Sequence, residues 1–502
     1  MISVSGIPLL LFLVGFFFLP LLALLPLGIE AISDSILSDP FIWHVIQFTY
    51  FQAFLSATAS VLVGFGLALL ITEWKVPGSR MVWKLSLLCS AMPPMVVALG
   101  ILGAAEPNGV FGWKGILWGH VFLNFAIPLR LIGTSLSERN KSAELTALSL
   151  GMPRLQTFFH CTWLEIRTSV ASSWLLTFLY SASSLFVVLF LGGGPRFTTL
   201  EVLLYESVKL NLDWGKALQI AVLQLLLGSV ILVFYFRLQS RRHLQADKSE
   251  YRIYNPRSRT LRGFGFFVLG SLVVFGIGFP VSVILIDGFL NVGALQGSEL
   301  LVSSGVSLAI AFAVACLSLV LVYPFLRSLY RVPSTKLQSL GFAAVALPQF
   351  FSSLLVALAL SVFFPLFRQN ASWSFVGVIL TQTLLVIPLI VFPLKEGFLR
   401  MPPEKMWVAQ SLGANKWQCL RLIEFPAMKR PLMLALLMAI SFSLGEVSSV
   451  LLFAPPGAQP LSLSVFQAMS RYRFQEAHAL TMLLLLMIAS VLSGVGYLEE
   501  ES

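Results

Sequence analysis

Residues 149–156 read SLGMPRLQ, and residues 411–418, which lie 262 positions later, read SLGANKWQ. Each stretch is polar, is compatible with a helix that bends at a glycine, and lies between long apolar segments. Helices that face lipid need only be apolar, so a repeated polar loop indicates a surface that contacts a partner. Because the loop occurs twice, we expect the partner to be a symmetric dimer.

The composition is that of a membrane protein. Hydrophobic residues make up 57% of the chain and charged residues 11%, and the mean hydropathy is +0.87. Charged residues normally make up about 25% of a soluble domain. A chain this apolar cannot be covered by a water-soluble surface, so it must be solvated by lipid. At about 20 residues per span, its length accommodates about a dozen helices.

Hydropathy predicts two sets of six transmembrane helices. The predicted spans are residues 7–27, 46–71, 82–105, 116–136, 170–191, 217–238, 264–285, 301–326, 340–364, 375–394, 432–453 and 478–498. We therefore predict an all-α polytopic membrane protein with a first half at 1–238, a linker at 239–262 and a second half at 263–502. Since each half has an even number of spans, the two repeats are parallel.

Lysine and arginine are distributed unevenly between the loops. Of the 33 in the chain, 25 fall on the side of the linker and of both repeated loops, seven fall on the opposite side, and Arg130 lies within a span. The positive-inside rule then places both termini and the linker in the cytoplasm. The same rule explains the net charge of +10, so we expect membrane lipid and no nucleic acid as a partner.

The two halves match at more positions than the loops. Four pairs align at the same offset: Gly115 with Gly377, His120 with Gln382, Gly151 with Gly413, and Ser184 with Glu446. The four cysteines lie in or beside spans without a CxxC pair, so neither a metal site nor a disulfide is expected.

The repeated loops resemble the cytoplasmic coupling loops of ABC-importer permeases, whose pattern is E-A-A, three residues, glycine, nine residues and I-x-L-P. The first loop covers about residues 139–167 and the second about residues 400–430. In both, the acidic residue is displaced from the motif position, while the helix–glycine–helix shape is kept. The resemblance implies that these loops contact an ATPase through Glu144, Ala147, Gly151, Glu404, Ala409, Gly413 and Pro426.

Longer stretches of the first half indicate one particular family of ABC permeases. Residues 41–57 (FIWHVIQFTYFQAFLSA), 115–124 (GILWGHVFLN) and 191–195 (LGGGP), with TTLE at 198–201 and Tyr205, are similar to the fused permease of bacterial thiamine ABC transporters. The resemblance implies a type I ABC importer permease fold in the inner membrane and transport of thiamine or its phosphates. The alternatives are a related fused iron(III) permease, a secondary transporter, which should carry more ionisable residues, and a channel, which should repeat a pore loop.

The energy source should be a separate protein. No GxxxxGK[ST] motif occurs in the sequence, so we expect no ATP hydrolysis and no cofactor in this chain. The resemblance implies a homodimeric ABC ATPase, which would hold ATP and Mg, and a periplasmic solute-binding protein.

Three polar residues inside predicted spans are candidates for the translocation pathway. Glu446 is a carboxylate well inside a span of the second half, and an intramembrane charge usually faces a bundle interior or water. His120 and Asn124 lie one turn apart in the fourth span and share a face. A role in helix packing or gating is the alternative for Glu446, and interhelical hydrogen bonding is the alternative for His120 and Asn124.

Overall fold

The computed structural model is helical. The residues that it describes are 6–31, 38–74, 76–104, 110–139, 141–239, 259–272, 276, 278–295, 297–330, 335–400, 408–409, 411–453 and 459–500. These described residues contain helices and connecting turns and no β-strand, which confirms the predicted all-α class.

Thirteen α-helices precede the linker. They are α1 (Ile7–Leu13), α2 (Leu19–Ala31), α3 (Pro40–Thr72), α4 (Ser79–Ala91), α5 (Pro94–Ala104), α6 (Trp113–Asn124), α7 (Ala126–Glu138), α8 (Lys141–Ser149), α9 (Arg154–Thr157), α10 (Trp163–Ala182), α11 (Phe186–Leu191), α12 (Leu200–Lys209) and α13 (Trp214–Gln239), as far as the chain is described. Two π-helical segments, Val14–Phe18 and Phe158–Thr162, and a 3₁₀ turn at Pro195–Phe197 lie between them.

Twelve more α-helices follow the linker within the described residues. They are α14 (Arg259–Ser271), α15 (Phe279–Leu290), α16 (Gly297–Leu329), α17 (Thr335–Ala346), α18 (Ser353–Phe363), α19 (Leu366–Gln369), α20 (Ala371–Arg400), α21 (Lys416–Cys419), α22 (Phe425–Gly445), α23 (Ser448–Phe453), α24 (Leu461–Ser470) and α25 (Phe474–Glu500). A π-helical segment lies at Leu420–Glu424, and 3₁₀ turns lie at Val292–Ala294 and Leu347–Phe350.

The helices confirm a polytopic membrane protein. Among the described residues, seven helical segments are long and apolar enough to cross a membrane, and the number rises to ten if each of three bent helix pairs forms one span. Two of the twelve predicted spans are not among these ten. Residues 170–191 fall on α10 and α11, which are separated by a turn at residues 183–185. Residues 264–285 fall on α14 and α15, and part of the chain between these helices is outside the described residues.

Two of the bent pairs turn sharply within a predicted span. The axes of α4 and α5 differ by 107°, and the segments Leu340–Phe350 and Ser353–Phe363 differ by 95°. Proline interrupts the first pair, since Met92 is extended and Pro93 and Pro94 follow it. Ser352 begins α18 by accepting a hydrogen bond from the Leu355 N–H at 3.1 Å. A continuous hydropathy signal therefore covers two helices of different direction.

The described helices form two compact units. The first unit is Ile32–Ile286. In it α3 packs against α7 and α10, and Gly64 allows close contact, because a Cβ at this position would lie 2.7 Å from the Phe125 carbonyl oxygen.

The second unit consists of Met1–Ala31 and Asp287–Ser502. In it α16, α20 and α22 pack against one another. Gly397 of α20 lies against α22, since a Cβ there would be 2.6 Å from Cγ of Pro431. Each unit therefore has a core of three helices that approach closely over a small residue.

The compact units differ from the predicted halves in their first spans. In the second unit, the segment before α2 packs on the α18 region, with the rings of Phe17 and Phe351 5.6 Å apart. In the first unit, a Cβ at Gly100 of α5 would lie 2.8 Å from the Pro280 carbonyl oxygen of α15. Chain order and hydropathy identify a span but not the helices that pack against it. The sequence therefore does not show that the first span packs in the second unit, or that the start of α15 packs in the first unit.

Candidate docking loops and buried polar clusters

The first repeated loop ends its helix at a left-handed glycine. Gly151 follows α8 with φ +85°, and the Met152 N–H donates to the Ala147 carbonyl at 3.0 Å. This is the hydrogen bond that closes a helix with glycine after its last turn. A Cβ at Gly151 would meet no atom within 4 Å, so the glycine is required by the backbone angle alone. The predicted helix–glycine–helix shape is confirmed for this loop.

The second loop repeats the same backbone. Gly413 has φ +84°, and the Ala414 N–H donates to the Ala409 carbonyl at 3.0 Å. The next helix, α21, begins with a reciprocal pair in which the Asn415 N–H donates to the Gln418 side chain and the Gln418 N–H donates to the Asn415 side chain, both at 2.8 Å. Glu404 lies outside the described residues.

A π-helical segment follows the glycine turn in each loop, which the sequence did not predict. The first covers Phe158–Thr162 and the second Leu420–Glu424, and these ranges are 262 residues apart. Each leads directly into a long helix, α10 or α22. Short π-helical segments are rare and often lie at functional sites. Pro426, from the end of the predicted motif, lies exposed in the first turn of α22.

Equivalent apolar side chains of both loops are exposed. Leu150 and Leu412 are each 82% exposed, and the next equivalent pair, Leu155 and Trp417, are 70% and 67% exposed. These side chains lie on polar loops, where lipid contact is not expected. Exposed apolar patches of this kind are typical of surfaces that bind another protein.

The acidic residue of the first loop is held inside its own unit. The Arg139 guanidinium donates to the Glu144 carboxylate at 2.9 and 3.1 Å and to the Glu73 carboxylate at 2.5 Å. The Arg139 side chain is 3% exposed. Its burial opposes the charge, but the hydrogen bonds and negative charges of Glu73 and Glu144 outweigh this effect and raise the pKa of Arg139. Ala147, also named by the motif, is half-buried on α8.

The second unit has an ion pair at a different place. Arg327, near the end of α16, lies 2.7 Å from the Glu424 carboxylate, and the Tyr323 hydroxyl donates to the same carboxylate at 2.8 Å. Glu424 is fully buried at the last position of the π-helical segment. Burial explains the arrangement, because a carboxylate removed from water needs an opposite charge and hydrogen bonds.

Glu446 lies between α22 and α23 and is well supplied with donors. Its carboxylate accepts hydrogen bonds from the Ser448 N–H at 2.9 Å, from the Ser353 hydroxyl at 2.6 Å, and from the N–H and hydroxyl of Ser449. The Gln382 amide is a further donor at 3.4 Å. The residue is 8% exposed. The carboxylate therefore starts α23 and joins three parts of the second unit.

His120 and Asn124 lie in the core of the first unit. The His120 Nδ1 atom is 3.1 Å from the Ser56 hydroxyl, and the Asn124 amide donates to the Ser181 hydroxyl at 3.2 Å. The Gln52 amide donates to the Ser181 carbonyl at 2.9 Å. These contacts join α3, α6 and α10, as interhelical hydrogen bonds do in membranes. His120 and Asn124 thus share one cluster, while Glu446 belongs to a cluster of the other unit.

The two polar clusters correspond to one another in the repeat. Gln382 stands where the first unit has His120, and Ser443 stands where it has Ser181. The Ser443 hydroxyl donates to the Gln382 side-chain oxygen at 2.5 Å. The alignment at offset 262 could have indicated this pair, because two polar residues recur at facing positions.

A second repeated contact holds the short helices α12 and α24. The Leu200 N–H donates to the Thr49 hydroxyl at 3.0 Å, and the Leu461 N–H donates to the Ser307 hydroxyl at 2.7 Å. In each unit, a hydroxyl of a long helix, α3 or α16, caps the first residue of the short helix. The sequence did not identify these residues, since serine and threonine are common on buried helix faces.

Comparison with known proteins agrees with this architecture. Residues 327–499 match the family described as binding-protein-dependent transport system inner membrane component. The match lies within the second half of the chain, and it indicates a permease, a multi-pass transport subunit of the inner membrane.

Relatives of the permease align over nearly its whole length. The thiamine transport system permease protein of Escherichia coli K12 is 28% identical, with 92% of this chain and 90% of the relative covered. The thiamine transport system permease protein of Haemophilus influenzae is 27% identical, with 97% and 94% covered. That of Brucella abortus strain 2308 is 26% identical, with 92% and 89% covered. The chain therefore covers 89–94% of the length of these relatives.

Proposed function

We propose that this permease imports thiamine or its phosphates across the inner membrane, fed by a periplasmic binding protein and driven by a separate ATPase. The observation that carries the proposal is the alignment with thiamine transport permeases, which covers 92–97% of this chain. Such a transporter also needs a surface where an ATPase can bind, and the duplicated loops could provide this surface.

The loops support a dimeric ATPase as the partner. Both have the same left-handed glycine, and both expose a leucine to the same extent, with Leu150 and Leu412 each 82% exposed. Two equivalent ATPase subunits could each receive one loop in an identical groove. ATP and Mg would be bound by those subunits, and their closure would move the loops and open the permease to one side of the membrane at a time.

Stoichiometry tests the partner. The permease should copurify with its ATPase, and native mass measurement should give two ATPase copies for each permease chain. A complex with one ATPase copy, or transport by the permease without any ATPase, would exclude a dimeric ATPase as the energy source.

The solute is proposed from the relatives together with the sequence of the first half. Thiamine is a permanent cation with an aromatic ring, so its passage needs a carboxylate or a ring face without tight binding. A role for Glu446, His120 or Asn124 in this passage stays a prediction. In the described residues each of them is hydrogen-bonded within its own unit.

Complementation tests the solute inside a cell. A bacterial strain that cannot make or import thiamine should grow on a low concentration of thiamine when it expresses the permease with its ATPase and binding protein. The alternative, a fused iron(III) permease, predicts no growth on thiamine and growth of an iron-uptake mutant instead.

The orientation of the chain also belongs to the proposal. The 25 to 7 distribution of lysine and arginine supports cytoplasmic termini and cytoplasmic docking loops. The ATPase would then bind from the cytoplasm, where ATP is available.

A further inference from the structure

The first docking loop is attached to its unit by one buried arginine. Arg139 lies between α7 and α8, and its guanidinium donates to Glu73, to Glu144 and to the Leu136 carbonyl at distances of 2.5–3.1 Å. Glu73 is the residue that ends α3, and Glu144 is in the first turn of α8. One side chain thus joins the end of a membrane-crossing helix to the start of α8 (Lys141–Ser149), the docking helix of this loop.

The electrostatics make this a firm attachment. The Arg139 side chain is 3% exposed and the side chains of Glu73 and Glu144 are 25% and 19% exposed, so water screens the ion pairs only in part. A guanidinium has fixed donor geometry and can hold two carboxylates at once. The docking helix therefore cannot shift away from α3 without breaking a buried ionic hydrogen bond.

The sequence does not repeat this cluster at the equivalent positions of the second docking loop. The positions 262 residues after Arg139 and Glu144 are Met401 and Met406, and the position 262 residues before Glu424 is Thr162. In the second unit, the Arg327–Glu424 ion pair instead ties the end of α16 to the segment that follows the loop. The two loops share a shape and exposed leucines but are attached by different charges at different points.

We propose that Arg139 is a positioning residue that transmits movement of the first docking loop to α3 through Glu73. The inference rests on the proposed function, because the movement would come from the ATPase. Glu144 then serves to hold Arg139 rather than to contact the ATPase. Binding of the ATPase depends on Leu150 and Leu155, whereas coupling of ATP hydrolysis to transport depends on Arg139 and Glu73.

The variant Glu73→Gln tests this transmission. It weakens the link to α3 and leaves the Arg139–Glu144 pair and the exposed leucines in place. Measured on the assembled complex with its ATPase and binding protein in vesicles, thiamine transported per ATP hydrolysed should fall about fivefold or more, the lower end of typical coupling between sites. The amount of assembled complex should stay at the wild-type value, because the surface that binds the ATPase is unchanged.

Two further variants separate transmission from a general loss of charge or stability. Glu138→Gln changes an exposed neighbour of Arg139 and should leave the amount of thiamine transported per ATP hydrolysed unchanged. Glu73→Asp keeps the charge and should restore most of this amount. If Glu73→Gln transported as much thiamine per ATP as the wild type, or lost complex assembly in parallel with transport, the proposed role of Arg139 in transmission would be overturned. Failure of the wild-type complex to bind its ATPase or to carry thiamine would instead overturn the proposed function.

Discussion

Leu150 and Leu412 occupy equivalent positions in the two repeats, and each is 82% exposed directly before the left-handed glycine of its loop. An exposed leucine side chain is unfavourably hydrated, and contact with a partner would remove it from water. Burial of such a side chain contributes about 1.5–3 kcal/mol. These two residues are therefore expected to carry much of the binding to the ATPase.

The charged variants Leu150→Asp and Leu412→Asp should each weaken ATPase binding. We expect a loss of roughly tenfold or more in the dissociation constant for each variant, because the pocket would receive a charge in place of an apolar side chain. Titration of detergent-solubilised permease with purified ATPase measures the effect. Leu150→Met and Leu412→Met are the matched controls and should bind normally. Equal affinities for the Asp and Met forms would place the contact elsewhere.

The glycines of the loops should not tolerate proline. Proline fixes φ near −65°, whereas Gly151 and Gly413 have φ +85° and +84°. Gly151→Pro and Gly413→Pro should insert into the membrane at wild-type levels but fail to bind the ATPase. Cysteines introduced beside either glycine in the wild-type loop should crosslink to the ATPase.

Asparagine is the control for this pair, since it adopts the left-handed conformation more readily than other side chains. Because a Cβ at either glycine meets no atom within 4 Å, Gly151→Asn and Gly413→Asn should keep most of the binding. Normal transport by both proline variants would remove the docking assignment.

Glu446→Gln should destabilise the second unit. The carboxylate accepts hydrogen bonds from Ser353, Ser448 and Ser449, and an amide group replaces one of its acceptor oxygens with a donor. Loss of these bonds at a buried site should cost about 1–3 kcal/mol, which a lower melting temperature of the purified complex would show. Ser353→Ala removes one donor and should have a smaller effect. An unchanged melting temperature with impaired thiamine uptake would instead support the pathway role of Glu446.

The proposed topology predicts the location of two reporter fusions. A reporter inserted within residues 239–262 should report the cytoplasm, and one near Gly457 should report the periplasm. The reason is the excess of lysine and arginine in the linker and in both docking loops. Reversal of either signal would contradict the orientation.

The sequence predicts the parts of this structure that repeat or that must be apolar. Seven of the twelve expected spans, or ten if each bent helix pair forms one span, meet the length and hydropathy of a membrane span in the described residues, and the glycine turns at Gly151 and Gly413 have the expected shape. Both features depend on local chemistry. The backbone angle at a glycine and the hydropathy of twenty residues can be read without knowledge of distant contacts.

Contacts between distant residues could not be predicted in the same way. Arg139 looks like an ordinary basic residue of a cytoplasmic loop, and only the fold brings it within 2.5 Å of Glu73, which lies 66 residues earlier. Glu446 was expected in a pathway because it is a charge in an apolar segment. Two of its donors, Ser353 and Gln382, come from other helices, and no local pattern indicates these two.

Uptake of thiamine by the reconstituted complex tests the central claim most directly. The permease, its ATPase and its binding protein are assembled in vesicles, and labelled thiamine inside the vesicles is measured with ATP and with a nonhydrolysable analogue. We predict accumulation that requires ATP hydrolysis and binding protein, with no transport of ferric ion. A well-assembled complex that carries ferric ion but not thiamine, or that carries thiamine equally without ATP hydrolysis, would contradict the account.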